Sequence, residues 1–278
     1  MEEKLIFITN DDGIQAQGIQ VLAQLMSRLG KVVVVAPDSA RSGAGCSITP
    51  TTPVILEQVA GPQLLFSPAT WAKLDMLDCF GENVSPRNPI AWYTCTGTPV
   101  DCVKLASEQV LEREPDLMVS GINHGDNASC SIHYSGTMGA VFEATLKRWP
   151  AIGFSLRTFR KETDFSPYCD AIVKIAAHVL EHGLPLYECL NVNFPELETL
   201  KGIRVARMAQ GEWSCEWADA DNPHGKRAFW LTGHFTNLEP ASEDTDYWAL
   251  DHGYASVTPI QMDMTAHQSL EMLKKSLE

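Results

Sequence analysis

An α/β fold built on a mainly parallel sheet flanked by helices is what this sequence predicts, and three observations predict it. Apolar runs of strand length alternate with helix-like stretches through the first two thirds of the chain. The first run, Leu5 to Thr9, is apolar without alternation and reads as a strand buried on both faces. That run ends abruptly in Asn10, Asp11, Asp12 and Gly13, and open α/β sheets bind ligands beyond the carboxyl ends of such strands.

The elements follow in order. Gly18 to Leu29 is helix-like, with Ile19, Leu22, Leu25, Met26 and Leu29 on one face. Val32 to Val35 is a second strand, closed by Ala36-Pro37-Asp38. Ile90 to Cys95 is another, followed by a helical stretch from Pro99 to Leu111. Leu117 to Ser120 is a short buried strand, Gly139 to Arg148 a helix, and Ala151 to Ser155 a strand after Pro150. Asp170 to His182 is a long helix, and Cys189 to Phe194 a strand ended by Pro195. Strands alternating with helices imply right-handed crossovers and a parallel sheet.

The rhythm breaks twice. The stretch 51–89 contains Pro53, Pro62, Pro68 and Pro86, with a hairpin strand expected at Val54 to Val59 and a short helix at Trp71 to Cys79. A segment this long without a clear pattern is usually functional or mobile. After Leu200 the pattern turns β-like, at Gly202 to Met208, Ala228 to Thr232 and Tyr254 to Thr258, before an amphipathic helix from Thr265 to Leu277. Trp213, Trp217, Trp230 and Trp248 fall in this part. Extra strands packed by aromatics explain them better than a base-stacking platform on an acidic protein. The expected organisation is one domain over 1–278, with an α/β core at 1–200, an extended loop at about 51–89 and an extension at 201–278.

Composition narrows the function. Asp and Glu number 35 against 21 Lys and Arg, a net charge of −14, which argues against binding a nucleic-acid polymer. No apolar run approaches transmembrane length, so no membrane partner is expected. The strand begins by about residue 4, which leaves no room for a leader. The eight cysteines are scattered and form no CxxC pair, so a thiolate zinc site is not expected. Both points suggest a reducing, cytoplasmic setting with free thiols.

Chemistry converges on four loops, one after each of four expected strands. They are Asn10 to Gly13, Ala36 to Gly45, Thr94 to Pro99, and Ser120 to Asn127 leading to Ser135-Gly136-Thr137. A parallel sheet puts all four on one edge. Adjacent carboxylates at Asp11 and Asp12 repel unless a cation lies between them, and carboxylate oxygens suit Mg²⁺, Mn²⁺ or Ca²⁺. Alternatively, either Asp only caps the following helix. Gly beside Ser or Thr lets backbone N–H groups approach a phosphate, and Ser135-Gly136-Thr137 precedes a helix at the positive end of its dipole. The same segments are also ordinary turns and caps. His124 and His133 are candidate ligands or plain polar loop residues. There is no GxxxxGK[ST], no GxGxxG after the first strand and no GxSxG, which disfavours an ordinary ATPase, a dinucleotide dehydrogenase and an α/β-hydrolase.

Together these loops resemble the SurE family, the survival-protein-E phosphatases that act as 5′(3′)-nucleotidases. The resemblance is carried by Thr9 to Ile14, Ala36-Pro37-Asp38 with Arg41-Ser42-Gly43, Thr96 to Pro99, Asp101-Cys102-Val103, Ser120 to Asn123 and Tyr134 to Thr137. It continues in Asn191 to Pro195, Thr245-Asp246 and Gly253 to Pro259, in the family's order. It implies a Rossmann-like core, a β-rich C-terminal extension used in oligomerisation, and one divalent cation per subunit, Mg²⁺ or Mn²⁺. By the resemblance the metal ligands are Asp11, Asp12, Ser42 and Asn123, with Asp11 and Asp12 catalytic. The phosphate falls to Asn10, Gly43, Ser135, Gly136 and Thr137. The expected activity is metal-dependent hydrolysis of nucleoside monophosphates by a homodimer or homotetramer. Two alternatives stand beside it: a nucleotide- or phosphate-sensing protein without turnover, and a short-chain exopolyphosphatase.

Overall fold

The computed structural model describes residues 3–61, 88–160, 163–222 and 225–278. The strands are β1 (Leu5–Thr9), β2 (Lys31–Pro37), β3 (Leu56–Val59), β4 (Ile90–Cys95), β5 (Leu117–His124), β6 (Ala151–Leu156) and β7 (Glu188–Phe194). Beyond them lie β8 (Ile203–Val205), β9 (Gly211–Ser214), β10 (Trp217–Ala220), β11 (Ala228–Leu231), β12 (His234–Asn237) and β13 (Ala255–Gln261). The α-helices are α1 (Gln17–Met26), α2 (Pro99–Leu105), α3 (Gly136–Leu146), α4 (Cys169–His182), α5 (Asp246–Asp251) and α6 (His267–Leu277).

Among the described residues nine strands form one sheet in the order β3-β4-β2-β1-β5-β6-β7-β13-β8. From β4 through β7 every neighbouring pair is parallel. From β1 the chain steps one way, through β2 to β4, and then resumes on the other side of β1, through β5 to β7. The order therefore reverses between β1 and β5, the place where open α/β sheets bind their ligands.

Pleating explains why these strands are apolar on both faces. Ile6, Ile8, Val32 and Val34 join a core with Leu22 and Met26 of α1 and Ile172 of α4. Leu5, Phe7, Val33 and Val35 join a second core with Val103 of α2 and Met138 and Val141 of α3. The sheet is thus covered by helices on both sides.

Caps decide where two helices start. Thr98 accepts from the Asp101 N–H at 3.1 Å while Asp101 accepts from the Thr98 N–H at 2.9 Å, a reciprocal capping box with Pro99 in the first turn. The Ser135 hydroxyl accepts from the Met138 N–H at 3.0 Å. That cap starts α3 at Gly136, three residues before the expected Gly139. The helix expected to run from Pro99 to Leu111 changes at Ala106 into a five-residue π turn.

The C-terminal part departs most from expectation. Its strand β13 enters the main sheet antiparallel to β7, with β8 beyond it. The strand expected over Gly202 to Met208 shortens to Ile203–Val205, because the Arg207 N–H turns aside to the Asp244 carbonyl at 2.9 Å. Two small ribbons, β9 with β12 and β10 with β11, stand apart from the sheet. The tryptophans do not form one cluster. Trp213 packs edge-on against Phe235 and Trp248 stacks on His252, while Trp217 and Trp230 are exposed. The helix expected at Trp71 to Cys79 lies outside the described residues. Among the described residues seven cysteines are free, and no helix is long and apolar enough to cross a membrane.

The C-terminal part is fastened to the core by a buried charge. Asp246 is fully buried and accepts from the N–H groups of Ser129 at 2.8 Å, Ala209 at 2.9 Å and Tyr247 at 2.8 Å. Asp246→Ala leaves two buried donors and one part-buried donor unpaired and should destabilise the protein by about 3 kcal/mol. Urea unfolding checks this; a loss under about 1 kcal/mol would show that water replaces the carboxylate.

Candidate active site

At the end of β1 the chain delivers Asn10, Asp11 and Asp12 to the carboxyl edge of the sheet, beside the end of β5. Asn10 is buried and its Nδ2 donates to the Gly13 carbonyl at 2.9 Å. Its Oδ1 is buried without a hydrogen-bond partner among the described residues. The Asp11 carboxylate is buried and accepts from the Thr137 hydroxyl and the Thr137 backbone N–H. The Asp11 carbonyl accepts from the Arg41 N–H at 2.7 Å, which ties the loop after β2 to the same point.

Gly136 is what allows this approach. A Cβ there would lie 2.8 Å from the Asp11 Cβ, so only glycine lets the start of α3 sit on Asp11. The helix dipole then faces the carboxylate. Burial nevertheless dominates its titration. Desolvation raises the Asp11 pKa to about 6, the Thr137 hydroxyl bond pulls it down, and Asp12 pushes it up.

Asp12 is half-buried. Its Oδ2 accepts from the His124 N–H at 3.1 Å, and the His124 ring Nδ1 lies 3.5 Å from the same oxygen. Asn123 is buried and its Nδ2 donates to the Gly125 carbonyl at 2.8 Å, which leaves Oδ1 as the amide's acceptor end. Asn123 and His124 follow an irregularity in the β5–β6 pairing after Ser120, at the cis Gly121–Ile122 peptide. Gly121 has φ +127° and faces the Phe154 carbonyl so closely that a Cβ would meet it at 2.2 Å.

The structure therefore brings Asn10, Asp11, Asp12, Gly136 and Thr137 together, with Asn123 beside His124. Ser42 follows the Arg41 tether, but its side chain is exposed and bonds neither carboxylate among the described residues. Gly43 has φ +74° with open space around it. The Ser135 hydroxyl is engaged as the cap of α3, and Thr137 spends its hydroxyl on Asp11. His133 is exposed and bonds neither carboxylate among the described residues.

Sequence reasoning assigned no role to the groups that hold the loop after β5. The Asn127 N–H donates to Asn193 Oδ1 at 2.7 Å, and its Nδ2 donates to the Ser155 hydroxyl at 2.7 Å. Asn191 Nδ2 donates to the Asn127 carbonyl at 2.8 Å. A signal existed: two asparagines, two apart, in an otherwise apolar strand occupy one buried face and need partners. Arg157 adds an outer clamp, pairing with Asp126 at 2.7 Å and Asp251 at 2.6 Å.

The donor set is all oxygen. Among the described residues no Lys or Arg pairs with Asp11 or Asp12, and no three His, Cys, Asp or Glu side chains converge. Two carboxylates with a buried amide on the neighbouring strand suit a hard divalent cation. A cavity of about 510 Å³ lies elsewhere, at the amino-terminal edge of the sheet against Leu5, Lys31 and Tyr93. Buried acidic groups at a switch point mark a site more specifically than concavity does.

Fold and site define a doubly wound α/β protein with an acidic oxygen-donor centre at its switch point. The family model described as Survival protein SurE matches residues 6–215. The 5′-nucleotidase SurE of Phocaeicola vulgatus is 45% identical over 273 residues, covering 98% of this chain and 96% of the relative. That of Bacteroides thetaiotaomicron is 46% identical over 275 residues, with coverage of 98% and 96%. The crystal structure of the SurE protein from Aquifex aeolicus superposes with a TM-score of 0.77 at 34% identity, covering 99% of this chain and all of that one. The chain belongs to the SurE family.

The pKa of Asp11 carries a stability consequence for metal-free protein. The folded value of about 6 exceeds the unfolded 3.8, so ionised Asp11 destabilises the fold at pH 8. That cost falls as pH drops through about 6 and vanishes below about 3.8. Asp11→Asn should stabilise chelated protein at pH 8 by up to about 3 kcal/mol, with the gain shrinking towards pH 4. Urea unfolding in chelator at both pH values checks it; a variant less stable than wild type at pH 8 contradicts the burial cost.

Proposed function

We propose that this chain is a divalent-metal-dependent 5′-nucleotidase that hydrolyses nucleoside monophosphates to nucleoside and phosphate. The observation that carries the proposal is the buried Asp11 carboxylate beside Asp12 at the switch point, seated against the start of α3. The names of the relatives support the same activity. Asp11, Asp12, Asn123 and Ser42 would hold one Mg²⁺ or Mn²⁺. Such an ion, when bound, polarises a phosphoryl group and makes water a stronger nucleophile.

The chain's own groups supply the rest. Thr137 fixes Asp11 in place, and the His124 N–H occupies one oxygen of Asp12, leaving the other for a ligand or a proton. The Gly136 N–H has no partner within the helix and lies at the positive end of α3, suited to a phosphate oxygen. Asn10, next to Asp11, and Gly43, on the loop that Arg41 ties to the Asp11 carbonyl, offer further polar groups. Asp11 and Asp12 cancel the charge of a divalent ion, so the phosphate dianion is not repelled by a net negative site. The acidic surface overall suits a small substrate and not a nucleic-acid polymer.

Phosphate release from a panel of monophosphates, with and without chelator, tests the activity. Wild type should release phosphate only with added Mg²⁺ or Mn²⁺. Asp12→Asn should lower kcat by about 100-fold or more, with the fold intact by circular dichroism. Full turnover after exhaustive chelation would refute the metal requirement. Binding of nucleotide without any turnover would favour a sensing role.

We also propose, from its exposed apolar surface, that the protein is a homo-oligomer, a dimer or tetramer; a cytoplasmic location is part of the same proposal. Trp217 and Trp230 on the β10–β11 ribbon are 66% and 68% exposed, and α6 buries none of its residues. Contiguous exposed aromatics mark interfaces. Light scattering at micromolar concentration should give at least a dimer mass; a stable monomer contradicts this.

A further inference from the structure

We propose that Phe159 is the residue on which the base of a nucleoside monophosphate stacks. This deepens the function proposed above and rests on it. Phe159 is 90% exposed, the most exposed large apolar side chain among the described residues. It lies three residues past the end of β6, on the same carboxyl edge of the sheet as Asp11, Asp12 and Asn123.

Its backbone is well held although its ring is not. The Arg157 N–H donates to the Phe194 carbonyl at 2.9 Å, and the Thr158 N–H to the Leu156 carbonyl at 2.7 Å. The Thr158 side chain is buried, and its hydroxyl accepts from the Arg160 N–H at 3.2 Å. Arg157 is clamped by Asp126 and Asp251. A segment fixed on one side by buried bonds presents a large aromatic ring to water on the other.

The ring is seated on the loop that carries Asn123. One ring edge rests at Gly125, where a Cβ would meet Phe159 Cε1 at 3.2 Å. The carbonyl of that same Gly125 holds Asn123 Nδ2. Two residues of chain span at most about 7 Å, so the ring sits a short step from the acidic centre. Among the described residues only an edge is packed, and the 90% exposure leaves the ring faces open. A flat apolar face at that distance from a phosphate site suits a base joined through a ribose. Stacking is tolerant of base identity, because every base offers a π-face, so discrimination should lie between esters with and without a base.

Steady-state hydrolysis of AMP and of ribose 5-phosphate, with Mn²⁺ present, compares wild type, Phe159→Ala and Phe159→Trp in the full chain. For Phe159→Ala the KM for AMP should rise about 5- to 100-fold relative to that for ribose 5-phosphate. Phe159→Trp should restore the wild-type ratio. An unchanged ratio would overturn the proposal. So would a fall in oligomeric mass by light scattering without a change in that ratio, which assigns the ring to a subunit contact. If wild type hydrolyses neither ester, the function proposed above fails. Calorimetric titration with the same two ligands then decides the stacking alone: Phe159→Ala must weaken AMP binding selectively, and equal binding overturns it.

Discussion

Asp11 carries a carboxylate into the interior at the sheet's switch point, and the surrounding elements are arranged around that buried charge. Ionised groups are rarely buried without partners, and here the neighbours are Asp12, the Thr137 hydroxyl and the start of a helix. Gly136 has no side chain because Asp11 occupies its place. The Arg41 N–H on the Asp11 carbonyl anchors the loop after β2. Three segments far apart in sequence thus meet on one residue. Burial imposes a cost on the ionised carboxylate, and the cation proposed for this site would offset it.

A second network holds the opposite wall. The loop after β5 carries Asn123 and His124, and it is pinned through Asn127 to Asn193 and Ser155. Ser129, a little further on, is bonded to buried Asp246 from the C-terminal part. The exposed Arg157–Asp251 pair lies over these bonds and adds little by itself, since pairs open to solvent contribute about 0–1 kcal/mol. The buried amides and the buried carboxylate matter more, because an unpaired donor there has no water to turn to. The last quarter of the chain, expected as an appendage, is therefore coupled to the site through β13 and Asp246.

Much of the core was legible because parallel strands covered on both faces are short, dense apolar runs. Leu5 to Thr9, Val32 to Val35 and Ala151 to Ser155 needed no distant information to be recognised. Asp11 and Asp12 were legible for the same reason: two carboxylates end such a run. The placement of β13 was not. Antiparallel insertion beside β7 depends on pairing across 63 to 73 residues, which no local periodicity records. The roles of Asn127, Asn191 and Asn193 also required the fold, since a buried amide's partner can be anywhere in the chain. Ser135 and Thr137 show a related difficulty. Their types suggested phosphate contacts, and the fold gives each a further task that the sequence does not show, Ser135 as a helix cap and Thr137 as the bond that holds Asp11.

Direct titration of Mn²⁺ into chelator-treated protein, followed by the electron paramagnetic resonance of the free ion, tests the central claim without reference to turnover. One ion should bind per chain, and Asp11→Asn and Asp12→Asn should each weaken it at least about 10-fold. Wild-type affinity in both variants, or no binding by the unaltered chain, would contradict a metal centre at the end of β1.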